Sequence, residues 1–215
     1  MISLSKNFVF VHIPKTGGTS IEEALAPFEF LPQLAADHSN ARHCRAVLGD
    51  RWSRFFKFSF VRNPWSLCVS HWHYRTQMLA RKDSLSALDP REWDFARFMR
   101  EVVLPSEHCQ DFENQIRYIE EADASKIIID QVYRFEDLEG AWQDLRSRLA
   151  IQVPETLPHF NKSKRRGDWR DLYDQPDLID IVAQRFSRDI EVFGYTFEPE
   201  KKACAPEKES PPSKS

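Results

Sequence analysis

The feature that most constrains the fold is the segment FVFVHIPKTGGTSIEEAL, residues 8–25, in which a short apolar run passes through a glycine pair into an amphipathic pattern. The β-branched and aromatic residues before Pro14 predict a buried strand, because the run is too short for a helix of three turns. After the glycines, apolar and acidic residues fall on opposite helical faces. Glu22 and Glu23 are predicted in the first turn, where acidic side chains suit the helix dipole. The segment therefore predicts a strand, a loop and a helix in succession.

A second strand and helix are predicted in residues 55–79. The run FFKFSFV alternates phenylalanine with Lys57 and Ser59, and the residues after it, RNPWSLCVSHWHYRTQML, have a helical pattern. Asn63 is predicted to be the N-cap of this helix, with Pro64 at the first helical position, where a missing N–H costs nothing. The second segment thus has the same order of elements as the first.

The rest of the chain continues this alternation. A third strand is predicted within KIIIDQVYRFE, and helices are predicted over most of residues 84–121, over 138–151 and over 177–194, the last ending at Gly194. Strands that alternate with helices predict an α/β fold in which helices flank a central parallel sheet. In such folds, ligands bind at the carboxyl ends of the strands.

Composition limits the classes of protein and partner. At 215 residues the chain fits a single domain, predicted over residues 1–199, and a polar tail rich in Pro and Ser over 200–215 is predicted to be disordered. A net charge of -3 argues against nucleic-acid binding through a broad basic surface. No window reaches the roughly 18 apolar residues of a membrane span, which predicts a soluble, cytoplasmic protein. The oligomeric state is left open.

Cysteine and histidine spacing predicts neither disulfides nor a metal site. The four cysteines are scattered and form no C-x-x-C pair, so they are expected to be reduced thiols. His71 and His73 are two positions apart and therefore lie on different faces of a helix.

Residues 14–20, PKTGGTS, have the composition of a loop that binds an anion. Glycine is scarce, with six in the chain, yet Gly17 and Gly18 are adjacent, which indicates positive φ or a close approach to the backbone. N–H groups at a helix N-terminus bind phosphate or sulfate, and the loop adds one cation and three hydroxyl groups, from Lys15, Thr16, Thr19 and Ser20. The alternative is an ordinary turn from strand to helix, capped by Ser or Thr.

The order of residues in this loop excludes two common phosphate-binding motifs. A Walker P-loop has its lysine directly after the last glycine, whereas Lys15 precedes both glycines, and the G-x-G-x-x-G dinucleotide pattern is also missing. IPKTGGTS instead resembles the 5′-phosphosulfate loop of sulfotransferases that use 3′-phosphoadenosine 5′-phosphosulfate (PAPS), especially their bacterial and carbohydrate-type branch, which have a P-loop-like α/β fold. The resemblance implies that Lys15 contacts the phosphosulfate and assists departure of the phosphate, and that Thr16 to Ser20 hold the 5′ end.

A second motif resembles the 3′-phosphate site of the same family. In FSFVRNPWSLCVSHW, Arg62 ends a predicted strand and Ser70 follows eight positions later on the predicted helix. The family places an arginine and a serine at this spacing on the 3′-phosphate, and an arginine fork at a strand end suits phosphate oxygens. The alternative is a surface arginine followed by a capped helix. Two phosphate motifs in the family's order argue for the resemblance more strongly than either motif alone.

The resemblance also implies residues for the acceptor side and for closure over the nucleotide. His38, upstream of the Arg62 strand, lies where related carbohydrate sulfotransferases carry a catalytic histidine, and is the first candidate for the base, with His43 the second. LPHFNKSKRRGDWRDLYD resembles the late basic loop of the family, which assigns Lys164 and Arg165 to the nucleotide, although a solvated run of charge has the same composition. Gln115 is either an acceptor-side residue or part of a helix packed on the sheet.

Together these observations predict a sulfotransferase that transfers a sulfuryl group from PAPS to a hydroxyl acceptor, a carbohydrate or small metabolite, without a metal. Two alternatives stay open. A Mg-dependent nucleotide or small-molecule kinase would need the metal and prefer ATP. A non-catalytic nucleotide-binding protein of the same fold would bind the nucleotide and transfer nothing.

Overall fold

A four-stranded sheet organises the computed structural model, which describes residues 1–28, 39–81, 93–106, 112–157 and 167–198, without the side chains of 78–81. The strands are β1 (Ile2–Ser3), β2 (Phe8–Val11), β3 (Phe56–Val61) and β4 (Gln131–Arg134). The α-helices are α1 (Gly18–Leu25), α2 (Ala41–Leu48), α3 (Pro64–Arg81), α4 (Phe95–Phe98), α5 (Leu138–Leu149), α6 (Pro176–Arg185) and α7 (Ser187–Phe193). A π-helical turn and four 3₁₀ turns complete the described elements, at Met99–Val103 and at Gly49–Arg54, Gln115–Tyr118, Phe135–Asp137 and Trp169–Leu172.

The sheet has the order β1-β2-β3-β4, and its three longer strands are parallel. Phe10 lies opposite Phe58 and Phe60 opposite Tyr133, so the carboxyl ends of β2, β3 and β4 share one edge. β1 runs antiparallel to β2, because only a short turn joins the two strands and a parallel connection needs a long crossover. The predicted α/β fold is confirmed, with a mixed sheet whose parallel part is central.

Helices cover both faces of the sheet, and the alternation of side chains decides which core each strand residue enters. The phenylalanines of β2 and β3 form one core with α1 and α5. Val9, Val11 and Val61 enter the second core with α2, α3 and α6. Lys57 and Ser59 are also buried on this second face, where Lys57 Nζ lies 2.9 Å from Asp130 and the Ser59 hydroxyl donates to the carbonyl of Val11.

Two predictions about helices need correction. The helix predicted over residues 177–194 is two helices, α6 and α7, which separate at Phe186, a fully buried residue with φ -111° and ψ 29°. Gly194 ends α7 with φ 64°, as predicted. Helix is also less abundant than predicted in the described parts of residues 84–121, where 112–121 form only one 3₁₀ turn. The buried carboxylate of Asp189 explains this turn, because it accepts from the N–H groups of residues 115 and 116.

Candidate functional site

The loop after β2 turns sharply into α1. Lys15 has φ 63° and Gly17 has φ 86°, the latter a conformation that glycine adopts without strain. The helix begins at Gly18, earlier than predicted, so its first turn holds no acidic residue and Glu22 and Glu23 lie one turn further along. Gly17 is the N-cap and provides no side chain to cap the first N–H groups. The N-terminus of α1 is thus electrostatically suited to an anion.

Packing within the protein explains both glycines of the loop. A Cβ on Gly17 would lie 3.1 Å from the ring of Phe135, and a Cβ on Gly18 would lie 2.0 Å from the ring of His12. The His12 ring stacks on Phe10 with its Nδ1 3.1 Å from Glu22, so it is held where it is. Close packing therefore requires the glycine pair, independently of what the loop binds.

The three hydroxyl groups of the loop differ in exposure. Thr16 is buried and its hydroxyl donates to the carbonyl of Ile13, 2.9 Å away, which closes the loop on itself. Ser20 is buried and Thr19 is exposed. Thr19 is thus the hydroxyl most open to a bound molecule.

Arg62 follows the last residue of β3 and reaches the loop after β2. Its Nη1 donates to the carbonyl oxygen of Lys15 at 3.1 Å, and its Nε donates to the hydroxyl of Ser66 at 2.9 Å. The guanidinium carbon lies 4.2 Å from the centre of the Phe135 ring. Because β2 and β3 are parallel neighbours, their carboxyl ends bring the two predicted phosphate motifs together at one edge of the sheet.

Burial lowers the pKa of Arg62 but does not remove its charge at neutral pH. Desolvation lowers the pKa of Arg62 to about 10, while the nearby charge of Glu136 acts in the opposite direction. A pKa of about 10 leaves the guanidinium protonated at neutral pH. The site therefore keeps its cation beside the loop.

The turn from β3 into α3 is held by side chains from two other segments and by its own Asn63. The side-chain amide of Gln115 forms hydrogen bonds with the main-chain N–H and carbonyl of Arg62. The N–H of Asn63 donates to Glu136 Oε1 at 2.7 Å. Asn63 Oδ1 accepts from the N–H of Trp65 at 3.1 Å, so the predicted N-cap is confirmed. Gln115 is 1% exposed, which favours the packing role over the acceptor-side role.

One face of α3 continues the site away from Arg62. Ser66, Ser70 and Tyr74 are spaced by four residues and so follow one another along this face. Ser66 is buried against Arg62, Ser70 is half-buried, and the exposed ring of Tyr74 lies 3.9 Å from Lys15 Nζ. Sequence reasoning missed Ser66 and Tyr74, although their four-residue spacing from Ser70 could have identified them.

Three predicted site residues, His38, Lys164 and Arg165, lie outside the described residues. His43 is exposed on α2, and its main-chain N–H donates to Asn40 Oδ1 at 2.9 Å. Within the described part of the chain, no three His, Cys, Asp or Glu side chains group as a metal site. No helix in that part is long and apolar enough to cross a membrane.

A comparison with known protein families spans both motifs that are predicted to bind phosphate, and the sheet that joins them. The model of the Sulfotransferase family matches residues 1–196. No curated protein and no solved structure matches the chain. Since the family match spans 196 of the 215 residues, the chain belongs to the sulfotransferase family.

Proposed function

We propose that this sulfotransferase takes its sulfuryl group from PAPS and transfers it to a hydroxyl acceptor, a carbohydrate or small metabolite. The observation that carries the proposal is the hydrogen bond from Arg62 to the carbonyl of Lys15. It joins a loop suited to one anion and a strand-end arginine suited to another. A nucleotide with phosphate groups on both its 5′ and its 3′ carbon fits such a pair of sites better than a ligand with a single anionic group.

The roles follow from the chemistry of each group. The N–H groups of residues 16–20 and the exposed hydroxyl of Thr19 hold the 5′ end, and Lys15 stabilises the negative charge that develops on the bridging oxygen as the sulfur to oxygen bond breaks. Arg62 and Ser70 bind the 3′-phosphate, with Ser66 orienting the guanidinium. Lys164 and Arg165, which the resemblance to the family assigns to the nucleotide, add positive charge for its binding. This assignment needs no metal, because fixed cations and N–H groups supply the positive charge.

A base completes the mechanism by taking the proton of the acceptor hydroxyl as its oxygen attacks the sulfur. His38 is the proposed base and His43 the second candidate. Replacing each by alanine separates them: the variant without the base should lose turnover by about 100-fold or more and keep its affinity for the nucleotide. The other variant should match the unchanged protein.

The decisive measurement is calorimetric titration with 3′-phosphoadenosine 5′-phosphate (PAP), the product of transfer from PAPS. The unchanged protein should bind PAP, and Lys15→Ala and Arg62→Ala should each weaken binding, whereas Lys126→Ala, an exposed lysine in another loop, should not. Absence of PAP binding would reject the proposal, and binding of ATP only with Mg²⁺ would favour a kinase. An acceptor screen with labelled PAPS, using Lys15→Ala as the blank, then tests transfer, and binding without transfer would favour a non-catalytic protein.

A further inference from the structure

The side chain of Gln115 forms two hydrogen bonds with the main chain of Arg62. The N–H of Arg62 donates to Gln115 Oε1 at 2.8 Å, and Gln115 Nε2 donates to the carbonyl of Arg62 at 2.8 Å. Arg62 lies one residue past the end of β3, where the ladder between β3 and β4 stops at Val61 and Arg134. The side chain of Gln115 therefore provides the two main-chain hydrogen bonds that a neighbouring strand would provide. It does so at the first residue beyond the ladder between β3 and β4.

The buried carboxylate of Asp189 fixes the orientation of Gln115. Its Oδ2 accepts from the main-chain N–H of Gln115 at 2.7 Å and lies 3.3 Å from Gln115 Nε2, and its Oδ1 accepts from the N–H of Ile116 at 2.9 Å. A carboxylate only accepts, so the nitrogen of the amide must face Asp189 and the oxygen must face the Arg62 N–H. Gln115 and Asp189 are 1% and 0% exposed.

The guanidinium of Arg62 has little freedom once its main chain is fixed. Nε and Nη1 donate to Ser66 and to the Lys15 carbonyl, and one face of the group lies on Phe135. Among the described residues, Nη2 forms no hydrogen bond and Nη1 uses one of its two N–H groups, so the N–H groups at this end of the guanidinium are left for a ligand. The direction in which Nη2 points depends on the peptide that Gln115 holds.

We propose that Gln115 is a positioning residue, which directs the Arg62 guanidinium at the 3′-phosphate of the donor through the main chain of Arg62. This inference rests on the proposed function. Its consequence concerns selectivity: Gln115 contributes to the preference for nucleotides that carry a 3′-phosphate over those that do not. It touches neither the nucleotide nor the reacting atoms.

The test compares the affinities for PAP and for adenosine 5′-phosphate, which lacks the 3′-phosphate. Gln115→Met keeps the length of the side chain and removes both hydrogen bonds. It should weaken PAP binding by about tenfold and adenosine 5′-phosphate binding by much less, because Arg62 contacts the 3′-phosphate directly and affects the 5′ end only through its bond to the Lys15 carbonyl. Arg62→Ala should also lower the ratio of the affinity for PAP to the affinity for adenosine 5′-phosphate. Combining Arg62→Ala with Gln115→Met should lower this ratio no further.

Tyr133→Phe is the control for loss of a partly buried hydrogen bond, since the Tyr133 hydroxyl donates to Asp144 Oδ2 at 2.6 Å on the other face of the sheet. It should leave the ratio of the two affinities unchanged. An unchanged ratio in Gln115→Met, or equal loss of both affinities, would overturn the inference, since Gln115 would then only support the fold. If Gln115→Met does not fold, Gln115→Asn, which keeps a neutral amide but is one carbon shorter, should still lower the ratio, and an unchanged ratio there would overturn the inference too.

Failure of the proposed function gives a different result. If the unchanged protein binds PAP no better than adenosine 5′-phosphate, the 3′-phosphate site itself is wrong and the role of Gln115 is rejected with it. If the unchanged protein and Arg62→Ala differ as expected but Gln115→Met behaves like the unchanged protein, only the role of Gln115 is rejected.

Discussion

The guanidinium of Arg62 donates a hydrogen bond to the main-chain carbonyl of Lys15, with Nη1 and the oxygen 3.1 Å apart. Lys15 has φ 63°, a conformation that costs energy for a residue with a side chain. The bond to Arg62 is one of the contacts that hold this conformation. Arg62 therefore both supplies positive charge to the site and braces the loop that carries Lys15.

Arg62→Lys separates the charge of this residue from its shape. Lysine keeps the positive charge but has no planar guanidinium. Its ammonium cannot donate to both Ser66 and the Lys15 carbonyl in the same geometry and still present N–H groups to a ligand. We expect PAP affinity to fall by about tenfold or more and the free energy of unfolding to fall by about 1 kcal/mol. Calorimetry and urea unfolding measure the two effects. Wild-type affinity in Arg62→Lys would show that charge alone is sufficient.

Gly18→Ala tests the close packing of the loop. The added Cβ would lie 2.0 Å from His12 Cδ2, so either the ring or the loop must move. We expect unfolding to become easier by about 1–3 kcal/mol, the usual cost of overpacking. His12→Ala should remove part of that cost when the two substitutions are combined, and urea unfolding of the four proteins measures their coupling.

Gly17→Ala is the matched control for this cycle, because its strain comes from φ 86° and from the Phe135 ring and not from His12. Adding His12→Ala to Gly17→Ala should recover no stability. Equal recovery in both glycine variants would mean that His12→Ala stabilises the protein for another reason and that the ring is not what excludes a side chain at Gly18.

The sequence predicted the parts of the site that depend on local pattern. Strand and helix periodicity predicts that Lys15 lies in a loop after one strand and that Arg62 lies at the end of another. Because the two strands are parallel neighbours, their carboxyl ends lie at one edge of the sheet. The side chains that hold Arg62 could not be predicted in this way. Gln115 and Asp189 are 74 residues apart, and a buried amide that bonds a distant main chain has no local periodicity. Only the tertiary fold brings them to Arg62.

The split of α6 and α7 has a similar cause. The helical pattern of residues 177–194 is continuous, but Phe186 fills the core and Asp189 accepts from the N–H groups of residues 115 and 116. The break at Phe186 is therefore set by tertiary contacts, which the local pattern does not contain.

Tyr74 tests whether the contact with Lys15 prepares the loop for its ligand. The ammonium lies 3.9 Å from the centre of the ring, and such a contact is worth about 0.5–1 kcal/mol at an exposed site. Tyr74→Leu should weaken PAP binding by about two- to fivefold, because the lysine loses a contact that limits its conformations beside the loop. Tyr74→Phe keeps the ring and should match the unchanged protein in calorimetry. Tighter binding by Tyr74→Leu would show that the ring competes with the ligand for Lys15.

Asp189 gives the stability of the protein a specific pH dependence. Burial raises the pKa of its carboxyl from 3.8 to about 6, while hydrogen bonds from residues 115 and 116 and the charge of Arg188 act in the opposite direction. The folded state thus binds this proton more tightly than the unfolded state. The stabilising contribution is complete below about pH 4 and is lost as the pH rises through about 6. Relative to Asp189→Asn, the unchanged protein should gain about 2 kcal/mol between pH 7 and pH 4 in urea unfolding.

Asp144→Asn is the control with the opposite sign. Hydrogen bonds from Tyr133 and Arg148 hold the pKa of Asp144 below its usual value, so its contribution is present at neutral pH and is lost as the pH falls. Relative to Asp144→Asn, the unchanged protein should therefore lose stability on acidification. A difference between the unchanged protein and Asp189→Asn that stays constant from pH 7 to pH 4 would mean that Asp189 titrates as an unburied carboxyl. The hydrogen bonds from residues 115 and 116 would then cancel the effect of burial on its pKa.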